Sequence, residues 1–179
     1  MHETLTAIQA IARLRKFGQL DHCIVNELLD LRELTESGDK VVLRLIFSNC
    51  QFKEIDSTSI EFTKPLVLQN CVVDKFDIYA TCFIGGFTIE NNIFNEYIQF
   101  MHADHGADGQ LRLAGNVFNE FVDFEDAGFK SRIEIVNNSF KKGTNLLADV
   151  QLAAQFTGDS TISNNEGKLK IRTHFGTIL

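Results

Sequence analysis

Apolar positions along this chain follow two different rhythms. In residues 1–37 they recur at helical spacing. Leu5, Ile8, Ile11, Leu14 and Phe17 fall three residues apart and predict an amphipathic helix. Gly18 is placed to stop it. Asp21 can cap a second helix, with Ile24, Leu28, Leu31 and Leu34 as its buried face and Gly38-Asp39 as its end. From residue 41 the rhythm becomes strict alternation, the pattern of strands. The alternation then repeats. Six segments align: LIFSNCQF from Leu45, LVLQNCVV from Leu66, FTIENNIF from Phe87, LRLAGNVF from Leu111, IEIVNNSF from Ile133 and STISNNEG from Ser160. Their first turn position falls at Asn49, Asn70, Asn91, Gly115, Asn137 and Asn164, at intervals of 21, 21, 24, 22 and 27 residues. Self-similarity at this period predicts a stacked repeat.

Each unit begins with a short strand whose alternate side chains share a face, such as Leu66/Leu68 or Ile133/Ile135. Asn or Gly then turns the chain, because both tolerate left-handed backbone angles. A second apolar residue follows: Phe52, Val73, Phe94, Phe118 and Phe140. Stacking such units about 4.8 Å apart buries each apolar position against its counterpart in the next unit.

This apolar-x-apolar-x-Asn-Asn-x-Phe unit resembles the right-handed parallel β-helix repeat over residues 41 to about 172. It is more loosely similar to pentapeptide-repeat proteins. The resemblance implies an all-β solenoid of about six rungs with a two-helix N-terminal cap at residues 1–40, and a β-helix with a C-terminal tail over residues 41–179. It further implies an asparagine ladder, with Asn92, Asn116, Asn138 and Asn165 in that role and Cys50 and Cys71 in its first two places. Asn49, Asn70, Asn91, Asn137 and Asn164 are then turn residues.

Composition narrows the function. The chain has 179 residues, 24 acidic against 17 basic, for a net charge of −7. That balance argues against direct nucleic-acid binding, which rests on Lys and Arg. No stretch approaches the roughly 20 apolar residues of a membrane span. The N-terminus reads as a helix rather than an export signal, so a cytoplasmic location with reduced thiols is expected. Cys50 and Cys71 are expected to stack without a disulfide.

Chemistry-bearing residues gather in the third and fourth units. His102, Asp104, His105 and Asp108 are metal-ligating types, but their spacing matches no metal motif, and a polar surface loop with a His–Asp contact explains them better. The 24-residue interval places Asp126 beside His102, and Asp123 and Glu125 beside Gln99 and Met101. Two carboxylates at roughly 5–9.5 Å would suit a glycoside hydrolase or lyase, with Asp77, Asp123, Glu125 and Asp126 as candidates. Absence of Trp and only two Tyr argue against sugar stacking.

The favoured expectation is a non-catalytic binding or scaffold module without a cofactor. Its acidic wall, including Glu96, Glu120, Asp123, Glu125 and Asp126, would meet a protein partner with a basic surface. Some acidic pentapeptide-repeat proteins imitate duplex DNA, so the resemblance also implies an inhibitor or DNA-shape mimic. A homodimer through the C-terminal end completes the expectations.

Overall fold

The computed structural model describes residues 2–36, 38–105, 109–149 and 153–172. The chain is nearly all β, and all its strand pairings are parallel among the described residues. One sheet has seven strands in chain order: Gln19–Asp21, Leu45–Ser48, Leu66–Gln69, Phe87–Glu90, Leu111–Ala114, Ile133–Val136 and Ser160–Ser163. A second sheet has eight: Glu3–Leu5, Cys23–Asp30, Gln51–Asp56, Val72–Asp77, Ile93–Phe94, Val117–Phe118, Ser139–Phe140 and Glu166–Gly167. From Gln19 onward the chain visits the two sheets alternately, so each passage adds one tier. Shorter strands, among them Asp104–His105, Gly128–Phe129 and Gln155–Phe156, form a third wall.

Registration between tiers is side chain on side chain. Phe47, Leu68, Ile89, Leu113 and Ile135 align in one buried column. Val73, Phe94, Phe118 and Phe140 align in another. The rings of Phe94, Phe118 and Phe140 stack at centroid separations of 5.1 and 5.0 Å. Phe100 and Phe124 stack at 4.7 Å in a further column. The abundance of Phe follows from this geometry. A flat ring fills one tier and presents its face to the ring above, and each such burial stabilises the fold by about 1.5–3 kcal/mol.

The two-helix cap is corrected to a single α-helix, Ala7–Phe17. Thr6 and Gln9 form a reciprocal capping box, and Gly18 closes the helix at φ 69°, a left-handed angle that favours glycine. Ala10, Ile11 and Leu14 are buried, whereas Ile8 and Phe17 are 78% and 61% exposed. Strict three-residue spacing drifts around a 3.6-residue helix, so the ends of the stripe leave the core. The helix packs on Gln19–Asp21, Cys23–Asp30 and a short 3-10 turn, Leu31–Leu34.

Residues 21–34 are therefore mostly strand. Cys23 and Val25 point inward, Val25 pairs with Phe52 of the tier that follows, and a register shift between Val25 and Leu28 puts Leu29 inside. Leu28, expected in a buried helical face, is 43% exposed. This stretch is an extra first tier, so the described residues hold seven tiers rather than six.

Candidate functional site

The turn after each strand of the first sheet is built from one residue at positive φ. His22, Asn49, Asn70, Asn91, Gly115, Asn137 and Asn164 occupy it, with φ between 51° and 68°. Asparagine accepts this geometry because its short amide hydrogen-bonds locally. The expected turn residues all hold that place.

The next residue points inward and forms the ladder. Asn116 is 1% exposed, yet all four of its amide hydrogen-bond positions are used. Its Oδ1 accepts from the backbone N–H of Asn92 at 3.0 Å and from Asn92 Nδ2 at 3.1 Å. Its Nδ2 donates to Ile89 O at 2.8 Å and to Asn138 Oδ1 at 2.9 Å. Asn92, Asn138 and Asn165 repeat the scheme. Cys71 and Cys50 take the first places as expected, and Cys23 extends the column by one tier. Thiols imitate the amide here: Cys23 N–H donates to Cys50 Sγ at 3.4 Å, and Cys71 Sγ donates to Phe47 O at 3.6 Å. All four cysteines are free.

A second column of left-handed turns was not legible in the sequence. Ser59, Ala80, His102 and Asp126 all have φ between 52° and 59°. Their side chains share no chemical type, so no motif announced them. This column does place Asp126 beside His102, as the 24-residue interval required. His102 Nδ1 lies 2.9 Å from Asp126 Oδ2, and the Tyr79 ring meets the imidazole edge-on at 5.5 Å. Asp104 turns elsewhere and pairs with Lys130. Asp108 and the His105 side chain lie outside the described residues. Among the described residues, no three His, Cys, Asp or Glu side chains gather at metal-holding distance.

The expected acidic wall is altered in one important place. Asp123 is fully buried, not a surface residue. Its carboxylate accepts from Tyr97 Oη at 2.8 Å, Asn145 Nδ2 at 2.6 Å and the Glu125 backbone N–H at 2.9 Å. Those donors repay the cost of burying the charge. Burial, together with the adjacent carboxylate, pushes the Tyr97 phenol above its ordinary pKa. Asp123 thus holds a corner together. Asp77 is committed to Lys75, which also bonds Glu54 and whose ammonium pKa is raised by both.

Glu96 and Glu120 are exposed, Glu125 and Asp126 half-exposed. Glu96 and Glu120 follow the paired residues Phe94 and Phe118 by the same two places, so they occupy equivalent positions in adjacent tiers. No ion pair engages either of them among the described residues. Beneath them runs a surface ladder: Asn119 Nδ2 donates to Asn95 Oδ1, and Asn95 Nδ2 to Asp74 Oδ1, both at 2.7 Å.

No known protein family, curated protein or solved structure matches this chain.

Charge along the chain is uneven. Before residue 141 there are 21 acidic and 12 basic residues; from 141 onward there are 3 and 5. By register, Lys141 and Lys142 take the places of Asn119 and Glu120 in the next tier, and Lys168 takes that of Lys141 in the tier after. Two shallow depressions, of about 200 and 320 Å³, lie near the opposite, N-terminal end. Neither is lined by the acids of the third and fourth units. No helix among the described residues is long and apolar enough to cross a membrane.

Proposed function

We propose that the chain is a short right-handed parallel β-helix that works as a non-catalytic protein-binding module. Parallel strands joined in chain order connect in the right-handed sense by the general crossover rule. The observation that carries the functional reading is the stack of Glu96 and Glu120. Two carboxylates repeat one tier apart, with Glu125 farther along the same tier as Glu120, and among the described residues no ion pair engages Glu96 or Glu120. Several other surface acids are committed internally. Arg112 bridges Glu90 and Glu134, Arg32 bridges Asp30 and Asp56, and Lys40 holds Glu61. Carboxylates left free on a rigid wall attract a basic protein surface and steer its approach.

The test is capture of partners from host lysate by the full chain and by a Glu96→Lys/Glu120→Lys/Glu125→Lys variant. All three positions are solvent-accessible, so the variant should keep its fold, checked by circular dichroism. A stoichiometric partner held by the natural chain and lost by the variant supports the reading. A partner retained by the folded variant refutes the electrostatic wall.

A further inference from the structure

The first tier carries an anomaly that its repeat role does not explain. Its left-handed turn residue is His22, where five of the six later tiers have asparagine and one has glycine. A second imidazole, His2, lies beside it with ring centroids 5.9 Å apart. Both rings line the 320 Å³ depression, whose other walls are Asn49, Cys50, Gln51, Asn70 and Val72.

Hydrogen bonding fixes the state of both rings. His2 Nε2 lies 3.0 Å from Asn49 O, a carbonyl that can only accept, so Nε2 carries the proton. His22 Nδ1 lies 2.9 Å from Asp21 Oδ2, so Nδ1 carries the proton there. Asp21 is itself held in place: Ser48 Oγ donates to its Oδ1 at 2.6 Å and Asn49 Nδ2 at 3.0 Å. In the neutral rings, His2 Nδ1 and His22 Nε2 are left as bare lone pairs. Metal-binding histidines show the same arrangement: one nitrogen donates to a carboxylate or backbone carbonyl, and the other is free to ligate.

We propose that His2 and His22 form a two-imidazole site for a divalent transition-metal ion of the zinc–copper–nickel class. Imidazole selects these ions over magnesium or calcium. With metal–nitrogen bonds of about 2.1 Å, two imidazoles on one ion hold their ring centres about 5–6 Å apart. The separation here falls in that range. Two protein ligands leave the remaining coordination positions to water. Asp21 and the Asn49 carbonyl act as positioning groups that orient the rings.

Metal-free full-length chain is titrated with Zn²⁺ alone by calorimetry at pH 7.5, and with Cu²⁺ while its visible absorption is followed. His22→Asn is the decisive variant, because asparagine already occupies this left-handed position in other tiers and should fold. His2→Gln is its companion. His102→Gln, which removes an exposed imidazole paired with Asp126, is the control. The expected result is one Zn²⁺ per natural chain. Affinity should fall at least tenfold in His22→Asn and in His2→Gln, and stay unchanged in His102→Gln. Asp21→Asn should weaken binding less than loss of either ring. Absence of a saturable one-equivalent site, or equal binding by folded His22→Asn and the natural chain, overturns the proposal.

Discussion

Replacing Asn116 with alanine probes the ladder at its best-connected position. The side chain is buried and takes part in four hydrogen bonds. Alanine leaves the Asn92 backbone N–H without its partner, and an unmade buried bond of this kind costs about 1–3 kcal/mol. The Ile89 carbonyl loses a donor, and the amide contacts to Asn92 and Asn138 vanish, at about 0.5–1.5 kcal/mol each. Asn92 Nδ2 keeps Leu68 O, and Asn138 Oδ1 keeps the Asn116 N–H, which limits the damage. The expected total is about 3–5 kcal/mol, a large part of the roughly 5–15 kcal/mol that holds most domains folded. Asn165→Ala should cost only about 1 kcal/mol, because that end of the ladder is half-exposed and water replaces the amide. Asn116→Cys should fall between the natural residue and alanine, since Cys50 and Cys71 show that a thiol can occupy the column. Urea unfolding of the three variants, with unchanged denaturant slopes, reads these differences directly. A loss below about 1 kcal/mol for Asn116→Ala, or an equal loss for Asn165→Ala, would falsify the account of the ladder as a buried, mutually satisfied network.

Two further outcomes follow from the electrostatics and burial. Arg112 lies between Glu90 and Glu134 and holds the Glu134 carboxyl below its ordinary value of 4.5. A depressed carboxyl stabilises the fold above the unfolded pKa and loses that contribution as pH falls through the folded one. Arg112→Met should therefore lower stability at pH 7 and flatten its decline between about pH 5 and pH 3; urea midpoints across that range that decline as steeply as in the natural chain would contradict this. Among the thiols, Cys82 is half-buried and the other three are buried, and burial pushes the Cys82 thiol up. Native protein treated with a thiol reagent should label one cysteine, faster as pH rises, and the remaining three only at the rate of unfolding. Prompt labelling of two or more at neutral pH would show that the column opens.

Much of the fold was readable because its decisive interactions repeat. The Asn-Asn and Asn-Cys pairs mark the turn and the ladder together, and Phe94, Phe118 and Phe140 mark the core column. The first tier escaped because its turn residue is His22 rather than asparagine or glycine. Ile24, Leu28, Leu31 and Leu34 meanwhile imitate a helical stripe. What makes that segment a strand is the edge of Gln51–Asp56, which offers its backbone groups as partners across sequence. Local spacing carries no record of that edge. The candidate surface was less readable still. Asp123 sits among Glu120, Glu125 and Asp126 in the chain and looks like one of them, yet Tyr97 and Asn145 draw it inside. Glu54 and Asp77 look free until stacking sets Lys75, on the strand of Asp77, directly against Glu54 of the preceding tier.

By itself, the sequence determined the period, the turns, the inward columns and the acidic balance, because each depends on residue type at a regular interval. Tertiary structure alone decided which charges remain unpaired, which carboxylate is buried, where the second column of left-handed turns runs, and that His2 comes to lie beside His22. Those outcomes depend on which tier meets which, and stacking brings together residues that lie some 20 or more positions apart in the chain.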